Sequence, residues 1–426
     1  MSAPVRAPLQ SLDAALAQLL AAVTPLAIVE QVSTMHADGR VLAENVTSAL
    51  HVPALDNSAM DGYALRVADV TAVGNVLPVS QRIAAGSHGA PLAVGSVARI
   101  FTGAPVPAGA DTVMMQEDCE AVVPVASKVV PEGPADAAEL PLLRFLTLPK
   151  LGQHIRRAGE DVTRGAVVLA KGCRLGPAEL GLAASIGLAE LPVVRRPRVA
   201  LFSTGDELVM PGDRAPTDMP PGAIYNSNRF FLHALLRRMG CEVTDLGIEP
   251  DQREATVAAL RDAATHHDVI LTSGGVSVGE EDHIKPAVQA LGALDLWQIA
   301  MKPGKPFAHG RIGAAHFIGL PGNPVSSFVT FLLMVRPFLL RLQGIEHTAM
   351  PVQHLRADFA WPKADKRREF LRVRRNAEGG LELFPNQSSG VLTSAVWGDG
   401  LVDNPSGNTI APGDLVSFLP FSELLA

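Results

Sequence analysis

Residues with chemical reach gather in the stretch TSGGVSVGEEDHIK, Thr272 to Lys285. Glycines free the backbone to turn its N–H groups toward an anion. A helix starting just after adds the positive end of its dipole. Thr272, Ser273, Gly274, Gly275 and Ser277 are therefore candidate phosphate ligands. Glu280, Glu281 and Asp282 follow at once, and carboxylates repel phosphate unless a cation joins them. The loop thus points to a phosphorylated ligand held together with a divalent metal. Glu280 and Glu281 also read simply as first-turn helix acids. Asp282 has company, because Asp206, Glu207 and Asp251 each follow a neighbouring apolar run. Mg²⁺ held by one or two carboxylates plus phosphate oxygens would satisfy both signs of charge.

Four other stretches carry similar residues. KPGKP sets Lys302 and Lys305 on a stiff turn with no acid between them. A solvated surface loop is the plain reading, but rigidity after an apolar run favours anion binding. GLPGNPVSS offers Pro321, Gly322 and Asn323 ahead of a helix whose first position suits Pro324. DNSAMDGYA holds Ser58, Asp61 and Tyr63, and FTGAPVPAGAD holds Thr102. RRAGEDV holds Arg156, Arg157, Glu160 and Asp161. Asp61 and Asp161 read equally as turn residues. No GxxxxGK[ST] or GxGxxG occurs, so P-loop and dinucleotide fingerprints are missing.

These loops need elements to hold them. Ser11 can cap a helix to about Val23, with Leu12, Leu16, Leu19, Leu20 and Val23 on one face and Pro25 as the stop. Residues 47–149 alternate short apolar runs with Gly/Pro turns and read as a β-rich domain, with 131–145 as an inserted loop. Residues 1–46 and 150–195 form a mixed connecting domain. From 196 to 346 strands alternate with helices, which predicts a three-layer α/β/α domain with a mostly parallel sheet. Its polar clusters each follow a strand, so they share one sheet edge, where ligands bind on such folds. Residues 347–426 read as a small C-terminal β domain.

Composition narrows the class. The chain has 426 residues, 47% of them hydrophobic, enough for several cores. Net charge is −7, from 36 basic and 43 acidic residues, and no long Lys/Arg run appears. Nucleic acid is therefore not an expected partner. Cys119, Cys173 and Cys241 form no CxxC, which fits a reducing compartment. FVTFLLMVRPFLL is too short to span a bilayer and contains Arg336. No signal-peptide pattern opens the chain. The expectation is a cytoplasmic protein with no membrane partner.

Together, DNSAMDGYA, IFTGAPVPAGADTVMMQED, RRAGEDV, STGDEL, GAIYNSN, TSGGVSVGEEDHIK, MKPGKPFAHG, GLPGNPVSS and REFLR, in this order, resemble the molybdopterin molybdenumtransferases. These bacterial enzymes are similar to the C-terminal domain of gephyrin. The resemblance spans about residues 10–420. It implies insertion of molybdenum from molybdate into adenylylated molybdopterin, with AMP released and Mg²⁺ assisting. It implies a homodimer whose active site lies between the α/β domain of one subunit and the β-rich domain of the other. Contact with the molybdopterin adenylyltransferase is a further expectation. By motif match, Asp61, Thr102, Asp161, Glu207, Asp251, Asp282 and Lys302 take the family's catalytic positions. Lys305 and Ser389 are added ligand residues, and Asp282 and Asp251 are the metal ligands. His154 stands where the family often has Asn. Two rival readings are adenylylation of molybdopterin, whose enzymes continue TSGG as TGxxxRD, and a non-enzymatic scaffold role.

Overall fold

The computed structural model describes residues 9–122, 141–249, 252–275 and 284–425. The central unit is a six-stranded sheet in the order β2-β1-β3-β6-β5-β4. Here β1 is Arg198–Thr204, β2 Glu242–Glu249, β3 Val269–Ser273, β4 Gly292–Gln298, β5 Pro306–Ile312 and β6 Ala315–Leu320. β2, β1, β3 and β6 are mutually parallel, and β5 alone runs against its neighbours. β1 and β3 are buried along nearly their whole length, which is why they read as continuous apolar runs.

Helices cover both faces, giving three layers. α1 (Ser227–Arg238) and α4 (Pro324–Leu342) lie on one face; α2 (Arg253–His266) and α3 (Ile284–Leu291) lie on the other. Asn226 caps α1 by accepting the N–H of Arg229, and Gly240 at φ 78° ends it. α4 carries one π-helical turn, Phe331–Val335. Pro337 lacks an N–H and crowds the carbonyl four residues earlier, so the helix widens there. α4 is long and apolar enough to cross a membrane, but 83% of its apolar window is buried inside the protein. It is the core helix of this face.

The first core also recruits both ends of the described chain. Leu12, Ala15 and Leu19, from the helix Leu12–Ala21, join Leu232, Val325 and Phe338. Phe370, Leu401, Leu419, Phe421 and Leu424 join from the C-terminal domain. Ser11 caps the helix as expected, its Oγ accepting the N–H of Ala14 at 3.2 Å. The helix, however, packs in the α/β core and not in the connecting unit. Its apolar stripe found the larger hydrophobic face.

The connecting unit is held by the pairs Val29–Ser33 with Glu190–Val194, and Val46–Thr47 with Val167–Leu169. The β-rich domain holds a second six-stranded sheet. One of its strands is Leu142–Phe145, within the segment expected as an inserted loop. Alternation explains it, since Leu143 and Phe145 are buried and Arg144 is exposed. Residues 131–140 of that expected loop lie outside the described residues.

One more departure concerns KPGKP. LDLWQIAMKPG is not one strand. β4 ends at Gln298, and Met301–Lys302 pairs with Arg368–Glu369 in the C-terminal sheet. The chain then returns as β5, an antiparallel strand that sequence reasoning missed.

Candidate active site

Three turns meet at the carboxyl ends of the neighbouring strands β1, β3 and β6. After β1, Gly205 takes φ 142°, and a side chain there would collide with the Glu207 carboxylate. After β3, Gly274 and Gly275 take φ 91° and 68°. A Cβ on Gly275 would lie 2.5 Å from Ile284 and 2.9 Å from the Thr204 hydroxyl. Glycine is thus required twice over, by backbone angle and by space. The Gly274 N–H donates to Leu320 at 3.0 Å, tying the β3 turn to the end of β6. After β6, Pro321–Gly322–Asn323 leads into α4. Ser327 Oγ donates to Pro321 O at 2.6 Å, and Asn228 Nδ2 donates to Gly322 O at 2.7 Å.

Together these turns line a cleft of about 660 Å³. Ser273, Gly274, Gly275, Pro321, Gly322, Asn323 and Glu207 line it, as the sequence placed them at one edge. Thr204, Asn226, Asn228 and Ser326 line it too and were not assigned a ligand role. Their signal was present: Asn226 and Asn228 lie in GAIYNSN, ahead of a helical pattern, where Asn is ordinarily a cap. Asn226 Nδ2 is buried and meets no acceptor among the described residues. Thr272 is buried behind the cleft and its Oγ1 is likewise unpartnered. The C-terminal domain contributes Gly390 to the lining, and the Ser389 carbonyl accepts the Val325 N–H at 2.9 Å. Glu207 is the one charged side chain among the described lining residues.

The lysines take other places. Lys302 Nζ lies 3.0 Å from Glu369 Oε1 and 3.5 Å from Asp365 Oδ2. The expectation of an ammonium without acid partners is therefore corrected: its acids come from a distant part of the chain. Glu369 is 1% exposed and also accepts Trp361 Nε1 at 2.7 Å. Lys302 lines a separate hollow of about 270 Å³ with Trp361, Lys363 and Asp365. The Arg367 guanidinium holds the Asp365 carboxyl far below the usual carboxylate range. Lys305 is half-buried and outside the cleft lining, though its neighbour Pro306 belongs to it.

Arg372 was also missed. It is fully buried in the C-terminal domain and donates to Ser394 Oγ, Phe370 O and Ser388 O. No carboxylate offsets it, and burial pushes the guanidinium down to about 10. Its place between the apolar residues Leu371 and Val373 in REFLRVRR was the available signal.

The β-rich side carries a second group. Asp61 Oδ1 accepts both the N–H and the hydroxyl of Thr102, each at 2.8 Å. The Thr102 N–H, then its hydroxyl, lowers the Asp61 carboxyl below its ordinary range. Asp161 lines a different hollow of about 420 Å³, with Val52, Pro53, Asn57, Arg156 and Glu160. No residue of this domain lines the strand-end cleft within one chain. Asp251, Ser277 and Asp282 lie outside the described residues. Among the described residues no group of three or more His, Cys, Asp or Glu side chains forms a metal cage.

Comparison with known proteins accounts for the whole chain. Residues 10–187 match the MoeA N-terminal region (domain I and II). Residues 200–341 match a probable molybdopterin binding domain, and 354–421 the MoeA C-terminal region (domain IV). The molybdopterin molybdenumtransferase of Haemophilus influenzae is 36% identical over 403 residues, 93% of this chain and 95% of that protein. Molybdopterin molybdenumtransferase 2 of Mycobacterium tuberculosis is 37% identical over 383 residues, 87% of this chain and 89% of that protein. Among solved structures, a molybdopterin biosynthesis moeA protein from Pyrococcus horikoshii superposes with a TM-score of 0.82 at 25% identity, covering 97% of this chain and 100% of that one. The chain belongs to the MoeA family of molybdopterin molybdenumtransferases, transferases of molybdenum cofactor biosynthesis.

Proposed function

We propose that the chain inserts molybdenum from molybdate into adenylylated molybdopterin and releases AMP. The observation that carries this reading is the cleft where three glycine-bearing turns converge at adjacent strand ends. The Gly275 N–H and the positive end of α4 suit a phosphoanhydride, while the Gly274 N–H is held by Leu320 and keeps the turn in place. The orphaned Asn226 amide offers one further donor.

The reaction divides into two bond exchanges. The dithiolene sulfurs of the ligand bond to molybdenum, and the displaced oxygens leave as water once protonated. Water then cleaves the phosphoanhydride, giving AMP and the pterin phosphate. Glu207, an exposed carboxylate at the cleft, can move those protons. The turns orient the phosphates, so the rate gain lies in positioning and electrostatics.

Mg²⁺ fits the donor chemistry, since hard oxygens of one or two carboxylates and of phosphates are what it takes. Glu207 is available in the described cleft, and Asp282 and Asp251 complete the proposed ligands. Such an ion supplies neutralisation of phosphate charge. Asp61, Thr102 and Asp161 then act from a second copy of the chain, because the β-rich and connecting domains that carry them do not line the cleft of their own chain. The homodimer, a cytoplasmic setting and contact with the adenylyltransferase belong to the same proposal.

The test is AMP release from adenylylated molybdopterin, with molybdate and Mg²⁺ each present or absent. Release that needs molybdate and is lost in Asp282→Ala is the expected result. Tight binding without AMP release overturns the reading, and ATP consumption would favour adenylylation instead.

A further inference from the structure

Among the described residues, the lining of the strand-end cleft carries no positive charge. Its described lining has Glu207 and no lysine or arginine. A phosphorylated ligand and molybdate are both anions, so cations must reach them from elsewhere. Lys302 is already engaged by Glu369 and Asp365.

The β-rich domain carries two arginines that pair with no carboxylate among the described residues. Arg82 and Arg99 stand side by side in register on the parallel strands Val76–Ile83 and Val97–Ile100. Ile83 and Ile100, next along each strand, point into the core, so the two arginines share the outer face. Both guanidiniums lie over one ring, Phe101, at 4.5 and 4.7 Å from its centroid. Arg99 also lies 5.1 Å over Tyr63. Arg99 spends two nitrogens on Gly62 O and Gln116 Oε1, both neutral. Arg82 is exposed, and its guanidinium donates no hydrogen bond among the described residues. Neither arginine forms an ion pair among those residues. Asp61, whose carboxyl feels the Arg99 charge, has its Oδ1 committed to Thr102.

Like charges placed opposite each other across a ladder repel. The shared ring offsets some of that cost, but it also fixes both planar forks beside each other. Paired forks bind tetrahedral oxyanions well, through bidentate charge-assisted bonds.

We infer that Arg82 and Arg99 form an oxyanion-binding element of the active site, which a second copy of the chain brings to the cleft. The inference rests on the reading above, in which the β-rich face of one copy meets the cleft of the other. The ligand chemistry is a tetrahedral oxyanion, either the substrate's phosphate or molybdate. Asp61 and Thr102, on the same face, place the element beside residues already assigned to the reaction.

The test uses the full chain. R82Q/R99Q removes two surface charges and is expected to melt as the wild type does. Its affinity for adenylylated molybdopterin, or for inorganic molybdate, is expected to fall about tenfold or more, with a shallower salt dependence. R82K/R99K keeps the charge without the fork and recovers part of the loss. Loss confined to molybdate assigns the oxyanion as molybdate; loss confined to the nucleotide assigns it as phosphate. Wild-type affinity for both overturns the inference, even where molybdate-dependent AMP release stands. If AMP release itself fails in the wild type, the functional reading falls separately, and the binding arms still decide on the arginines. Mixing R82Q/R99Q with the cleft variant Gly275→Val decides the second-copy part. Heterodimers then restore about a quarter of wild-type sites; no recovery places the element in its own chain and overturns that part.

Discussion

His154 sits at φ 54°, the one positive-φ residue among the described residues that is not glycine. Left-handed backbone costs an ordinary residue roughly 1–2 kcal/mol, and Asn tolerates it best after Gly. His154→Asn is expected to raise stability by about 0.5–1 kcal/mol, read from urea midpoints. Asp61 gives a second prediction. Thr102→Val removes the hydroxyl but keeps the N–H donor, so the Asp61 carboxyl moves up toward its ordinary value, as an NMR titration would record. Glu369 gives a third. Glu369→Ala strips Lys302 and Trp361 of their buried acceptor, at a cost of about 2 kcal/mol once the partial exposure of Lys302 is allowed for. Little of this was legible from spacing. Asp61 and Thr102 are 41 positions apart and Lys302 and Glu369 are 67 apart. Side-chain pairs that distant are set by sheet topology: Asp61, Thr102 and Lys302 stood out one at a time, and Glu369 did not stand out at all.

At the scale of elements, the post-strand turns and the helix caps were readable, because their signals are local. Gly274 and Gly275 follow an apolar run, and Asn226 precedes a helical pattern. Gly275→Ala is expected to cost about 1–2 kcal/mol from backbone angle alone, with the contacts at Ile284 and Thr204 adding more. Ligand binding should weaken along with the melting temperature. β5 was missed because only Gly313 and Ala314 part it from β6, too short a break to mark a second strand. The helix Leu12–Ala21 was found, but its packing partner was not, since an amphipathic stripe does not name the face it meets. Leu19 is fully buried there. Leu19→Ala should therefore destabilise the α/β domain by about 2–4 kcal/mol, and the loss should appear in hydrogen exchange of β1 and β3.

Across the whole molecule, a buried histidine pair sets a limit on acid stability. His309 Nε2 and His316 Nδ1 lie 3.2 Å apart on β5 and β6, beside Phe338 and Trp297. Burial pushes His309 down to about 4 and His316 down to about 3. Unfolded imidazoles take protons near pH 6.5 while the folded pair stays neutral. Stability is therefore full above about pH 6.5 and falls as the pH drops toward 4. The expected loss is roughly 2–4 kcal/mol between pH 6.5 and 4.5, and H309Q/H316Q should flatten that slope. Domain order along the chain was legible from shifts in periodicity. The joining of cores was not, because it depends on which apolar faces find one another. Leu12 and Leu424 share a single core with the strands between them. Chains leave the ribosome from the amino end, and domains usually fold as they emerge. Here the central sheet is synthesised long before Leu424 exists. The α/β domain must wait, partly open, until the last helix arrives, and a ribosome stalled before that point would hold out an unfinished core.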